Sequence, residues 1–272
     1  GVRALAQSAY LKNLKALYLE NNNITDRGAK YIADSEVFSG LTVLNLHRNK
    51  ISDEGTRALA ASKNLTHLVR LNLNYNQVHE SGATSIFSSP NLENLEHVEL
   101  AYNPLGRAGK DAWLRFKYKR KFLNLRKIGK RVNLERNYIN DMGVFVLLDS
   151  PFFNGITELN LSGNNLSDEA IIALAESPKL AGLQKLILAQ NHITDRGAAA
   201  LAASENIKNL KQLDLNYNMI GNTGAIALAR SSNLSNLESL MLGQNKIGYL
   251  GAQALKESPT LNHLTHPIFG FY

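Results

Sequence analysis

Cysteine is absent from the 272 residues. That excludes a disulfide framework, a Cys-ligated zinc and a Cys nucleophile. Tryptophan occurs once and proline six times. No apolar run approaches the ~18–20 residues that a membrane-spanning helix requires, and no secretory leader is legible. Catalytic signatures are missing as well: there is no HExxH, no Gly-rich phosphate loop after a strand and no nucleophile elbow. The expectation is a non-enzymatic chain with no metal, no cofactor and no small-molecule substrate.

What the sequence does contain is one line written many times. Leu17-Tyr18-Leu19-Glu20-Asn21-Asn22-Asn23-Ile24 returns as Leu44-Asn45-Leu46-His47-Arg48-Asn49-Lys50-Ile51 and as Leu71-Asn72-Leu73-Asn74-Tyr75-Asn76-Gln77-Val78. Further copies centre on Asn103, Asn137, Asn164, Asn191, Asn218 and Asn245, at a step of 27 residues except for 34 between Asn103 and Asn137. A fixed period of this size signals a solenoid whose coils contact mainly their neighbours. The chain is therefore expected to form one elongated domain over residues 1–272. Gly1–Ser8 matches Gly55–Ser62, so the chain is expected to open inside the helix of an earlier repeat and to lack its native N-terminus.

Within each repeat the leucines alternate around Leu17-x-Leu19, which is strand periodicity with one face inward. A cap-like residue follows the Asn and the next apolar residue: Thr25, Ser52, Asn140, Ser167, Thr194. Asp26, Asp53, Asp141, Asp168 and Asp195 come next. A capping side chain followed by an acid predicts a helix start, because both complement the free N–H groups there. Gly recurs two residues after the acid, with Ala170 as the exception. Since Gly inside a helix costs up to about 1 kcal/mol relative to Ala, its recurrence predicts a place where a side chain would strike the neighbouring coil. Ser then closes each helix, and Pro90, Pro151, Pro178 and Pro259 block its continuation. The repeated Asn is read as structural, satisfying loop carbonyls that no ladder reaches.

The pattern L-x-x-L-x-L-x-x-N-x-I/L resembles the leucine-rich repeat over nearly the whole chain. With a helix after each strand, it is similar to the kind in ribonuclease inhibitor, in the Ran GTPase-activating proteins and in leucine-rich effectors of intracellular bacteria. The resemblance implies an α/β horseshoe of about nine full repeats plus partial end coils, with parallel strands on the concave face and helices on the convex face. It implies a protein-binding module that acts as a monomer apart from its partner. The partner could be an enzyme whose active site is covered, or another effector. The implied location is cytoplasmic or, for an effector, the interior of a host cell. The similarity to the Ran activators leaves a GTPase-activating role as an alternative, with Arg48 or Arg70 as the candidate charge.

Residues between the inward leucines face outward from the strand wall. They vary from coil to coil while the frame stays constant, as expected of a recognition surface rich in Tyr and Arg. The candidate partner-binding residues are Tyr18, Glu20, His47, Arg48, Arg70, Asn74, Tyr75, His97, Glu99, Tyr102, Arg131, Arg136, Asp214 and Tyr217. His47 and His97 stand two coils apart, roughly 10 Å, too far to share a metal. One repeat is irregular: residues 107–136 hold twelve Lys or Arg against Asp111 and Glu135, more than the whole chain's excess of +7. This insertion predicts a lengthened amphipathic helix followed by a displaced strand. Lys117, Lys119, Arg120, Lys121, Arg126 and Lys127 form a candidate basic patch for nucleic acid or acidic membrane. Near the C-terminus, Leu261–Leu264 begins another coil, in which Pro267, Phe269 and Tyr272 take the strand positions.

Overall fold

The computed structural model describes residues 1–123 and 129–264, the Phe152 side chain aside. Arg126 and Lys127 of the basic patch, and His266, Pro267, Phe269 and Tyr272 of the terminal coil, lie outside the described residues. The chain divides into two compact units, Gly1–Lys117 and Tyr118–Tyr272.

The first unit opens with helix α1 (Val2–Ala6) and carries strands β1 (Ala16–Tyr18), β2 (Val43–Asn45), β3 (Arg70–Asn72) and β4 (His97–Glu99). Helices α2 (Asp26–Ala33), α3 (Asp53–Ala61) and α4 (Glu80–Phe87) follow the first three strands, and α5 (Gly106–Leu123) begins after β4. The second unit carries β5 (Arg131–Asn133), β6 (Glu158–Asn160), β7 (Lys185–Ile187), β8 (Gln212–Asp214) and β9 (Ser239–Met241). Their helices are α6 (Asn140–Asp149), α7 (Asp168–Glu176), α8 (Asp195–Ala203), α9 (Asn222–Ala229) and α10 (Tyr249–Lys256). No helix among the described residues is long and apolar enough to cross a membrane.

All pairing is parallel and each residue pairs with the one a repeat later, as in Leu17–Leu44–Leu71–Val98 and Val132–Leu159–Leu186–Leu213–Leu240. The strands form a four-stranded sheet, β1–β4, and a five-stranded sheet, β5–β9. The division falls at the repeat with seven extra residues, the one in which the sequence predicts a displaced strand. Between strand and helix layers lies the core. Leu44, Leu46, Ile51, Leu65 and Phe38 in the first unit, and Leu186, Leu188, Ile193, Leu201 and Ile207 in the second, are completely buried. Each such side chain contributes about 1.5–3 kcal/mol relative to exposure.

Three polar ladders tie coil to coil. The first is the repeated Asn, whose amide is buried at Asn49, Asn76, Asn164, Asn191 and Asn218. Asn191 Oδ1 accepts from the N–H groups of Asn164 and Leu166 at 3.1 and 3.0 Å. Its Nδ2 donates to Leu161 O, Leu188 O and Ala189 O at 2.9–3.2 Å. Asn49, Asn76, Asn103, Asn218 and Asn245 bond the preceding coil in the same way. The last Ser of each helix supplies the second ladder. Ser35, Ser62, Ser89, Ser204, Ser231 and Ser258 donate to a helix-end carbonyl of the preceding coil at 2.5–2.6 Å.

The acid after the cap makes the third ladder, and here the sequence reading needs correction. Ser52, Ser167 and Thr194 do cap their own helices, while the Thr25 side chain does not. The acids, however, reach sideways. Asp26 Oδ1 accepts from Ser52 N and Gly55 N at 2.7 and 2.9 Å, and its Oδ2 from Ser52 Oγ at 2.7 Å. Asp168 does the same for Thr194 and Gly197. Asp195 serves Gly221 and Gly224, and Asn222 serves Gly248 and Gly251. These helix N-termini are thus completed by the coil before them. The recurring Gly follows from this contact: a Cβ on Gly197 would lie 2.5 Å from Asp168 Oδ1, and one on Gly55 2.5 Å from Asp26 Oδ1.

Two outcomes follow. Asn191→Ala strands N–H and C=O groups in a dry loop, at about 1–3 kcal/mol per unsatisfied group. Urea denaturation should show a loss of about 3 kcal/mol or more, and a loss below about 1 kcal/mol would mean water replaces the amide. The second concerns acid. Burial pushes the Asp53 carboxyl up, but the Ser81 hydroxyl and the N–H groups of His79 and Gly82 outweigh it and hold it below its ordinary 3.8. A depressed carboxyl stabilises the fold above its unfolded value, and that contribution disappears as pH falls through the folded value. Urea midpoints measured down to about pH 3 should therefore fall less steeply for Asp53→Asn than for the wild type.

Candidate functional site

Outward-facing residues of the strands lie in four columns, and the backbone singles out the last of them. Asn21, Arg48, Tyr75, Tyr102, Arg136, Gly163, Gln190, Tyr217 and Gln244 all have positive φ, between +51° and +65°. The chain needs this turn to leave the strand and aim the following Asn inward. A left-handed conformation costs an L-residue roughly 1–2 kcal/mol, and Gly or Asn adopts it most readily. Gly occupies it once, at Gly163, where a Cβ would lie 2.9 Å from Arg136 Cγ. Elsewhere Tyr occurs three times and Arg twice. Large side chains thus stand at positions that favour glycine.

In the first unit this column joins its neighbour. Tyr75 and Tyr102 stack with ring centroids 4.1 Å apart and planes 15° from parallel. His47 meets Tyr75 edge-on at 5.2 Å. The Arg48 guanidinium lies 5.1 Å from the Tyr75 ring centroid, a cation–π distance. Four predicted residues from three coils therefore make one continuous surface. Tyr102 is 72% exposed and Tyr75 38%. The Tyr75 hydroxyl titrates above its ordinary 10.0, first because of its hydrogen bond with Tyr102, then because of burial and the Tyr102 charge, with Arg48 opposing.

Around this surface, Glu99 Oε2 accepts from Asn72 Nδ2 and Asn74 Nδ2 at 2.9 and 2.8 Å, so Asn74 and Glu99 are brought together. Arg70 and His97 are register partners on β3 and β4, both exposed. Glu20 lies one coil before His47, with Oε2 buried and lacking a hydrogen-bond partner among the described residues. Tyr18 stands at the end of β1, 61% exposed.

In the second unit the predicted residues are more dispersed. Arg131 pairs with Glu158 at 3.0 Å across the strand register. This exposed pair is worth little to stability. Arg136 crosses Gly163 to donate to Gln190 Oε1 at 3.2 Å. Tyr217 is 56% exposed. Asp214 sits between Ile187 and Met241 in the strand register. Burial raises its pKa above the ordinary value, although the Asn216 N–H and Lys185 act in the opposite sense. Ile187, Met241 and the 83% exposed Tyr138 were not among the predicted residues. Aligning the columns against the register is the signal that exposes the first two.

The basic insertion forms the lengthened helix α5, and part of its charge is engaged. Lys117 Nζ lies 4.6 Å from the Trp113 ring centroid. Lys121 Nζ donates to Asn137 O at 2.8 Å, and burial lowers its pKa. Lys119 is exposed and Arg120 half-buried. Trp113 has a role that its place in the repeat did not announce. Glu99 O accepts from Leu73 N, so the adjacent Val98 carbonyl faces away from β3, the one strand paired with β4 among the described residues. Trp113 Nε1 donates to that carbonyl at 3.1 Å, covering part of an edge that would otherwise invite pairing.

Among the described residues no group of three or more His, Asp or Glu side chains is placed to hold a metal ion. The leucine-rich repeat family matches residues 10–33, 41–60, 64–87, 156–175, 183–202, 206–229 and 233–256. Those segments make up more than half of the chain, and the chain belongs to that family. It is a repeat protein with a protein-binding fold. Among solved structures it is similar to an internalin, InlF, from Listeria monocytogenes. The likeness covers 100% of this chain and 94% of that one at 17% identity, with a TM-score of 0.33, a level that carries no functional argument. No curated protein matches the sequence.

The stacked pair can be checked in solution. Tyr102→Phe removes the hydroxyl that most raises Tyr75, so a spectrophotometric titration should show the Tyr75 phenol moving down toward 10.0. An unchanged titration would mean the two hydroxyls do not meet.

Proposed function

We propose that the strand face grips a protein partner and that His47, Arg48, Tyr75 and Tyr102 form its principal contact in the first unit. The observation that carries this is the left-handed column. The fold tolerates backbone strain at Arg48, Tyr75 and Tyr102, and their side chains then assemble an exposed aromatic and cationic surface. Tyr and Arg are the residue types that dominate binding energy in such contacts. Arg70, His97, Asn74 and Glu99 would form the surrounding polar rim.

The sharper form is that the grip covers the active site of a partner enzyme, with the chain acting as a monomeric bacterial effector, or a regulator of one, inside a host cell. Its support is the likeness of the strand-plus-helix repeat to ribonuclease inhibitor and of the uniform, Cys-free repeats to secreted leucine-rich effectors. The GTPase-activating alternative requires an arginine free to enter a nucleotide site: Arg48 lies over Tyr75, whereas Arg70 is exposed on β3. On α5, Lys117 lies against the Trp113 ring and Lys121 donates to the Asn137 carbonyl, while both residues stay exposed, so a role toward anionic ligands is the other reading.

Affinity capture with the full chain tests the proposal. Tyr75→Ala and Tyr102→Ala should each weaken a captured partner by about 2 kcal/mol or more, while Lys30→Ala and Arg57→Ala on the helices leave it bound. Retention of every partner by the Tyr75/Tyr102 double variant, or loss only from the helix variants, would place the contact elsewhere.

A further inference from the structure

In most coils the middle outward residue of the strand has a local task. Asn45 Oδ1 accepts from His47 N, Asn72 Oδ1 from Asn74 N, Asn133 Oδ1 from Glu135 N and Asn160 Oδ1 from Ser162 N, at 2.9–3.1 Å. Each closes a small turn where the strand ends. Asp214 Oδ1 performs the same task toward Asn216 N, at 2.9 Å. An uncharged amide would do this at lower cost, as it does elsewhere in the wall, because a charge shielded from water must be compensated. The carboxylate at this position is therefore not a requirement of the turn.

Its surroundings indicate what the charge could serve. Ile187 and Met241 flank Asp214 on the adjacent strands, and Met241 is 39% exposed. Burial is the largest influence on the carboxyl, and Lys185 acts on it only through space. The outcome is an acid set between two apolar side chains on an otherwise open face. A Lys or Arg side chain matches this arrangement. Its aliphatic stem can lie on Ile187 and Met241 while its cationic head reaches the carboxylate.

We propose that Asp214, with Ile187 and Met241, is the anchor site for a single Lys or Arg side chain of the protein partner. The proposal rests on the strand face being the gripping surface and adds the chemistry of one contact. A carboxylate is available to satisfy such a cation without an ordered partner loop, so the anchor can be probed with a side-chain mimic.

The test uses the full chain labelled at its methionine methyls with carbon-13, titrated with n-butylguanidinium and, separately, with the neutral N-butylurea. The chain has three methionines, and Met241→Leu assigns the relevant signal. The Met241 methyl should move with the cation at about tenfold lower concentration than with the urea. Asp214→Asn should erase that preference while keeping the thermal midpoint, since Asn supports the same turn in four other coils. Equal responses to the two probes, no response to either, or a preference that survives Asp214→Asn would overturn the proposal. A lowered midpoint for Asp214→Asn would also overturn it, by making the charge structural. Each of these outcomes concerns the anchor alone. Capture with substitutions in Gly1–Lys117 decides the gripping surface independently.

Discussion

The amide of the repeated asparagine is the interaction on which the rest depends. A chain that leaves a three-residue strand and turns toward a helix exposes carbonyl and N–H groups that no sheet reaches, and burying them unpaired is costly. One side chain with an acceptor and two donors, set at a fixed point in every coil, resolves this for the coil before it. With the loop satisfied, the leucines on either side can be sealed from water, and the strands can be short. The Ser and Asp ladders repeat the same logic at the two ends of each helix.

Fixing the Asn has a local cost. The residue before it must turn left-handed, and the fold imposes that on every coil, whatever side chain stands there. Because the backbone is held by coil-to-coil bonds, such as Tyr75 N to Ala101 O and Tyr217 N to Gly243 O, the side chain is released from structural duty. Large aromatic and cationic groups can then occupy the position at a tolerable cost. Conserving the scaffold and varying the surface are thus two aspects of one geometry.

Much of this was legible in the sequence. The period placed the strands and their register within each sheet, the alternation of Leu17 and Leu19 set the inward face, and the recurring Gly announced a close approach. The acids were misassigned because Asp26 and its own helix are neighbours in the chain, whereas the Ser52 and Gly55 N–H groups become neighbours only once coils lie side by side. Trp113 was opaque for a similar reason: nothing in its place along the insertion refers to the Val98 carbonyl of β4. For the candidate site, residue types were readable but contacts were not. His47 and Arg48 occupy different columns and still meet the same ring. Tyr and Arg do not advertise positive φ as Gly does, and Asp214 looked like one more wall residue until its neighbours Ile187 and Met241 were in register.

The ladders run in both directions along the chain. Asn and Ser bonds point back to the preceding coil, while the helix-start acids point forward to the next. Junctions that carry all three ladders, such as those built on Asp26 and on Asp168, are consequently alike. A gene duplication or deletion that respects the 27-residue phase rejoins like to like, leaving each donor with its acceptor, whereas one out of phase breaks all three seams at once. Such a molecule can change its reach by recombination in whole modules, much as a masonry wall is extended by courses.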